Sequence, residues 1–148
     1  MPYVAVVGAH DADARLAGEA EAVGAELGRL GAVVVCGGLG GVMEAACRGA
    51  KRAGATTLGI LPGHDRATAN AWVDVAVATG LGEARNALVV RASDALVAVG
   101  GGHGTLSEIA LALKVGRPVI GLDSWDIPGV VGVASPELAA AAALEAVS

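Results

Sequence analysis

Residues 94–113 constrain the fold of this chain more than any other segment. Their first part, Ala95–Val99, is a short apolar run that predicts a buried parallel strand. Four glycines follow within five residues, and an apolar stripe at helical spacing begins after Thr105. Glycine lets a backbone approach a ligand closely, and the first turn of a helix presents free N–H groups. We therefore predict a phosphate site at residues 101–105, with Glu108 one turn further along the helix.

The rest of the chain repeats this alternation of strand and helix. Apolar runs predict strands at residues 3–7, 32–36, 56–61 and 119–122, and shorter ones at residues 72–78 and 130–133. Helices are expected from a cap at Asp11 or Asp13 to about Leu30, and at residues 42–53, 80–92 and 135–147. This pattern predicts one α/β domain, residues 1–148, with a doubly wound parallel sheet. In such sheets the ligand lies beyond the carboxyl ends of the strands, where the glycine turns at residue 8, 37–41 and 100–104 would gather.

The composition excludes several classes of partner. The net charge of −5 argues against nucleic acid, because phosphate contacts need a basic face. Only 2% of residues are aromatic, so the stacking platforms of a single-strand binder are missing as well. Compact anionic metabolites remain plausible ligands, since backbone amides and one or two arginines can hold them.

Membrane, secretory and metal-binding classes are also disfavoured. No apolar run is long enough to span a bilayer, and the N-terminus lacks the basic region of a signal peptide. Cys36 and Cys47 have no metal-ligand spacing, which predicts reduced thiols in a cytoplasmic protein. The three histidines are scattered, so we predict no protein-bound catalytic metal.

Two familiar phosphate motifs do not fit. Residues 38–43 begin like the dinucleotide fingerprint GxGxxG but place Met43 at the sixth position. No acid that could bind a ribose follows the second or third strand, and no Gly-Lys-Ser/Thr follows any glycine run. A dinucleotide site and a P-loop are therefore not expected.

Arg85 is expected to contact an anionic group, which could belong either to a ligand or to the protein. It lies between Leu81 and Leu88 on the apolar stripe of the predicted helix, where a guanidinium is costly unless an anion meets it. A bidentate phosphate or carboxylate contact would satisfy it, and so would a structural salt bridge to Asp94 or Glu108.

Glu108 also has two interpretations. The spacing of Thr105 and Glu108 fits a capping box, in which the carboxylate returns to the start of the helix. Alternatively, the carboxylate faces a sugar, where it could stabilise an oxocarbenium-like state and activate a water molecule.

The glycine motifs together resemble the LOG superfamily, and most closely its branch of molybdenum-cofactor carrier proteins. The resemblance rests on GLGEARN at residues 80–86, SDA at 93–95, GGHGTLSE at 101–108 and GGLGGVME at 37–44. It implies a Rossmann-like fold, a site for a phosphorylated nucleotide or pterin, and a homodimer or homotetramer. LOG enzymes hydrolyse the N-glycosidic bond of nucleoside 5′-monophosphates, and their motif arginine and glutamate correspond here to Arg85 and Glu108.

Three departures from the LOG motif favour the carrier branch. Gly100 replaces a proline, Asn86 replaces a lysine and Ser107 replaces the first of two acids. We predict that Arg85 and Glu108 act on the ligand, and that further residues bind it: Gly8, Gly38, Gly40, Gly41, Asn86, Gly101, Gly102, His103, Gly104 and Thr105. Three functions stay open: a phosphoribohydrolase, a molybdopterin carrier without turnover, and a nucleotide-sensing module that acts through a partner.

Overall fold

The computed structural model describes all 148 residues as alternating strands and helices. The strands are β1 (Tyr3–Gly8), β2 (Val33–Cys36), β3 (Thr57–Leu61), β4 (Val75–Ala78), β5 (Ala95–Val99), β6 (Val119–Leu122) and β7 (Val130–Val133). The helices are α1 (Ala14–Arg29), α2 (Val42–Arg52), α3 (Arg85–Arg91), α4 (His103–Lys114) and α5 (Pro136–Val147). None of them combines the length and the hydrophobicity that a bilayer crossing requires.

The strands form one parallel sheet in the order β4-β3-β2-β1-β5-β6-β7. The chain moves outward from β1 through β2 and β3 to β4, then returns to the other side of β1 for β5 to β7. The strand order therefore reverses between β1 and β5, which places a crevice at their carboxyl ends. The predicted α/β, Rossmann-like, doubly wound parallel sheet is confirmed.

Both faces of the sheet are covered. On β1, Val4 and Val6 pack in the cluster formed with α1, α2 and α5, whereas Ala5 and Val7 pack in the cluster formed with α3 and α4. Successive side chains of a strand point to opposite faces, so a strand buried on both faces must be apolar throughout. This is why β1 and β5 appear in the sequence as unbroken apolar runs.

Helices α1 and α2 pack with their backbones in contact. A β-carbon at Gly24 would overlap the backbone carbonyl of Ala46, and one at Gly49 would overlap the carbonyl of Glu21. The Glu21 carboxylate also accepts a 2.7 Å hydrogen bond from Arg52 Nη1. The two glycines therefore set how closely the helices approach, because no side chain fits between them.

The segment predicted as a helix from Gly80 to Ala92 differs from the prediction. Gly80 and Gly82 have φ values of 66° and 58°, and a single 3-10 turn, Gly82–Ala84, precedes α3. The Gly82 N–H donates to the Pro62 carbonyl rather than to a helix. Leu81 and Leu88 are 52% and 40% exposed, whereas α3 buries Val89 and Val90, so the predicted apolar stripe around Arg85 is wrong.

Candidate functional site

A cavity of about 700 Å³ lies at the carboxyl ends of β1 and β5, where the strand order reverses. The loop after β1, the glycine loop before α4 and the 3-10 turn before α3 form its walls. Seven residues that the sequence suggested as ligand contacts line it: Gly8, Arg85, Asn86, Gly102, Gly104, Thr105 and Glu108.

The glycine loop after β5 opens directly into α4. Gly100 and Gly101 have φ values of 58° and 124°, which L side chains rarely adopt. The loop is held from the β6 side, because Ser124 Oγ donates to the Gly100 carbonyl (2.7 Å) and Trp125 Nε1 donates to the Gly102 carbonyl (3.2 Å). Helix α4 starts after Gly102 without a side-chain cap, so the N–H groups of its first turn remain available to an anion.

The second glycine turn, residues 37–41, packs behind the residues that line the cavity. A side chain at Gly38 would meet Leu61, one at Gly40 would lie 3.3 Å from the His10 ring, and one at Gly41 would overlap the His10 backbone. None of these three glycines lines the cavity, although Leu39 of the same turn does.

Two other predicted contacts also lie away from the cavity wall. Gly101 packs against the Thr105 side chain, and a β-carbon added at Gly101 would lie 2.5 Å from that side chain. His103 is exposed, stacks on Trp125 with ring centroids 6.3 Å apart, and lines a neighbouring groove.

Arg85 is held over Gly37 with an incomplete set of hydrogen bonds. Its Nη1 donates to Asn86 Oδ1 over 2.7 Å, while its buried Nε has no partner. A β-carbon at Gly37 would lie 2.5 Å from Nη1 and 2.7 Å from Cζ, so only glycine leaves room for the guanidinium. Burial lowers the pKa of Arg85, and the nearby Glu108 carboxylate opposes that shift.

The salt-bridge interpretation of Arg85 is wrong. Asp94 instead accepts a hydrogen bond from the Tyr3 N–H at 2.9 Å. Arg85 also makes no ion pair with Glu108, since its one side-chain hydrogen bond goes to Asn86. The guanidinium is therefore free to meet an anion from the cavity.

Glu108 is a buried carboxyl group that no side chain or backbone group satisfies. It is 7% exposed and lines the cavity, and no hydrogen bond contributes to the shift of its pKa. Burial raises its pKa to about 7, against the opposing effect of Arg85. The capping-box interpretation is wrong, because α4 begins at His103 and Thr105 already lies inside its first turn.

Arg85 and Glu108 thus approach one cavity from different helices without forming an ion pair, although each charge partly offsets the burial of the other. Charged groups that are removed from water and left unpaired are unfavourable, and they concentrate at binding and catalytic sites. The same arrangement can hold a phosphate on Arg85 and the α4 amides while Glu108 accepts a hydrogen bond or exchanges a proton.

The site includes residues that the sequence did not suggest as contacts. The cavity has an apolar wall of Leu39, Met43 and Pro62, and its rim carries Asp11 and Glu83. Gly37 was also missed as the support of Arg85. Nothing in their local sequence marks these residues, since they come from four separate segments that only the strand order brings together. No group of three or more His, Cys, Asp or Glu side chains could hold a metal ion.

Comparisons with known proteins identify relatives along nearly the whole chain. The SLOG cluster4 family matches residues 1–145. An uncharacterized protein of Archaeoglobus fulgidus is 45% identical over 122 residues, which cover 82% of this chain and 80% of that protein.

Solved structures show the same architecture. The molybdenum cofactor binding protein of Rippkaea orientalis superposes with a TM-score of 0.89 and 38% identity, over 97% of this chain and 94% of that chain. The molybdenum cofactor carrier protein of Chlamydomonas reinhardtii gives a TM-score of 0.90 and 35% identity, over 98% of this chain and 97% of that chain. DNA processing protein A of Streptococcus pneumoniae gives 0.74 at 20% identity, which shows a shared fold alone.

Proposed function

Because this chain belongs to the SLOG cluster4 family, we propose that it binds the molybdenum cofactor, a phosphorylated pterin, and carries it without turnover. The family confirms the resemblance to the LOG superfamily, and the carrier and binding proteins cited above support the choice of ligand. The ligand would lie in the cavity between β1 and β5.

One observation carries this proposal: Arg85 and Glu108, two largely buried ionisable groups that form no ion pair, lie together in the cavity beside the glycine loop. The buried Nε of Arg85 has no hydrogen-bond partner, and only the charge of Arg85, not a hydrogen bond, opposes the effect of burial on the Glu108 carboxyl group. A phosphorylated ligand would satisfy the guanidinium with a phosphate oxygen and the carboxyl group with a ring N–H. Hydrogen bonds to both groups would recover free energy that the ligand-free protein loses by burying them without partners.

Two further features of the cavity support the proposal. The free amides at the start of α4 offer a phosphate cradle, which explains how a chain of net charge −5 can bind an anion. Leu39, Met43 and Pro62 form an apolar wall against which a flat pterin ring could pack.

Recovery of the cofactor with the protein tests the proposal. The chain would be produced in a host that makes the cofactor, purified without oxygen, and assayed for molybdenum and for pterin fluorescence after oxidation. We expect both to co-purify with the wild type and to fall at least tenfold for Arg85→Gln, since a charge-assisted hydrogen bond contributes about 1.5–3 kcal/mol. Arg91→Gln, an exposed change at the end of the same helix, is the matched control. Wild-type protein free of pterin would contradict the carrier function.

A companion variant tests how Arg85 is positioned. Gly37→Ala should weaken binding several-fold by displacing the guanidinium, and it should have little further effect in an Arg85→Gln background. Gly63→Ala is its control, because a β-carbon there meets nothing within 4 Å. Additive losses in the double variant would mean that Gly37 acts independently of Arg85.

A phosphoribohydrolase is the second candidate. A buried carboxyl group with a pKa of about 7 is suited to general acid–base catalysis at neutral pH. Incubation with a panel of nucleoside 5′-monophosphates, followed by chromatography for free base, separates the candidates. Release of base that Glu108→Ala abolishes would establish the enzyme. The sensing function predicts binding without turnover and an effect that depends on a protein partner.

The cytoplasmic location and the homodimer or homotetramer implied by the family resemblance belong to this proposal as well. So do the ligand-contact roles of Gly8, Asn86, Gly102, Gly104 and Thr105, which line the cavity.

A further inference from the structure

The two cysteines of the chain meet behind the candidate site, where the proposed function does not use them. Cys36 ends β2 and Cys47 lies on α2, and their sulfur atoms are 3.4 Å apart as free thiols. Both are fully buried. They form one small buried cluster with Met43, which lies one helical turn before Cys47.

We infer that Cys36, Cys47 and Met43 form a binding site for a single Cu(I) ion. Two thiolates and one thioether make a soft donor set, which selects Cu(I) over metals that prefer oxygen or nitrogen ligands. The hydrophobic residues packed against the cluster are Leu39, Trp72 and Val73. The Asn70 side chain also lies beside Cys47, but its amide oxygen already accepts a hydrogen bond from the Trp72 N–H. Zinc would lack its usual fourth ligand here.

Two groups that could balance negative charge lie close to Cys36. The Gly38 N–H donates to Cys36 Sγ at 3.2 Å, and the Arg85 guanidinium lies against the adjacent Gly37. Binding would release two protons and leave one net negative charge, which Arg85 is close enough to offset.

The geometry requires only a small adjustment. Metal–thiolate bonds of about 2.3 Å separate two sulfur atoms by about 4 Å in a trigonal site, so the pair would open by roughly half an ångström. Met43 also lines the large cavity, which gives the ion a path from solvent to the thiols. The two cysteines themselves do not line that cavity, so the inference does not rest on pterin binding.

An oxygen-free titration of the purified full chain with Cu(I), against a chromophoric Cu(I) chelator, tests the inference. We expect one ion per chain, with affinity lowered at least tenfold by Cys36→Ser or Cys47→Ala and less by Met43→Leu. Leu138→Met adds a thioether at an exposed position of α5, away from the cluster, and should leave the affinity unchanged.

X-ray absorption of the Cu(I)-loaded wild type keeps the inference testable if a variant does not fold. Three sulfur neighbours and no nitrogen neighbours are expected. Substoichiometric uptake, nitrogen ligands from the histidines, or an affinity that survives Cys47→Ala in a folded variant would each overturn the site.

Discussion

Replacing Gly49 with alanine is expected to lower the free energy of unfolding by about 3 kcal/mol, the upper end of what overpacking a core costs. The added methyl group would overlap the Glu21 carbonyl, which belongs to the backbone of α1 and cannot rotate away. The helices would have to separate, and the ion pairs of Glu21 with Arg48 and Arg52 would be disturbed with them. Urea unfolding followed by circular dichroism measures the change.

Gly18→Ala is the matched control for this prediction. Gly18 also lies within a helix, α1, but a β-carbon there meets nothing within 4 Å. Alanine should therefore stabilise the protein by about 0.5–1 kcal/mol, because it lowers the entropy lost by the backbone on folding. If Gly49→Ala behaved like Gly18→Ala, the close crossing of α1 and α2 would be wrong.

Replacing Glu108 with glutamine is expected to stabilise the ligand-free protein by about 3 kcal/mol above pH 7. The folded-state pKa of Glu108 is about 7, whereas its ordinary value is 4.5. Between those pH values the folded state binds more protons than the unfolded state, so stability falls as the pH rises through this window. A shift of this size corresponds to about 3 kcal/mol, and a neutral amide of the same shape avoids the cost of burying a charge.

Unfolding of the wild type and the variant by urea at intervals from pH 4 to pH 8.5 measures this effect. The difference between the two should be near zero below pH 4.5, grow up to pH 7 and stay constant above it. Glu145→Gln, an exposed change near the end of α5, should show no such growth. A difference independent of pH would mean that Glu108 ionises normally, and its interpretation as a strained binding group would fail.

The destabilisation caused by burying the Glu108 carboxylate bears on how the candidate site would bind a ligand. A buried carboxylate without partners destabilises the empty protein, and a ligand that donates a hydrogen bond to it recovers that free energy on binding. Under the proposed function, the arrangement would trade stability of the empty protein for affinity at Glu108.

Much of the fold could be predicted because it depends on local patterns. Apolar runs located the strands to within a few residues, as at β5, and Asp13 caps α1 through the Leu16 N–H as one of the two expected residues. The start of α3 could not be predicted in this way. Two glycines with positive φ and a hydrogen bond to Pro62 shorten that helix, and both effects depend on a segment distant in sequence.

The order of apolar strands, glycine turns and helices by itself determined the class of sheet and the edge at which a ligand would bind. It did so because side chains point to the core at a fixed period in helices and in strands, so apolar residues recur at regular intervals in the sequence. Only the tertiary structure decided that Arg85 rests on Gly37, that Glu108 is unpaired, and that Cys36 meets Cys47. These contacts join residues from different strands and helices, so they follow from strand order and helix packing, which no local pattern records.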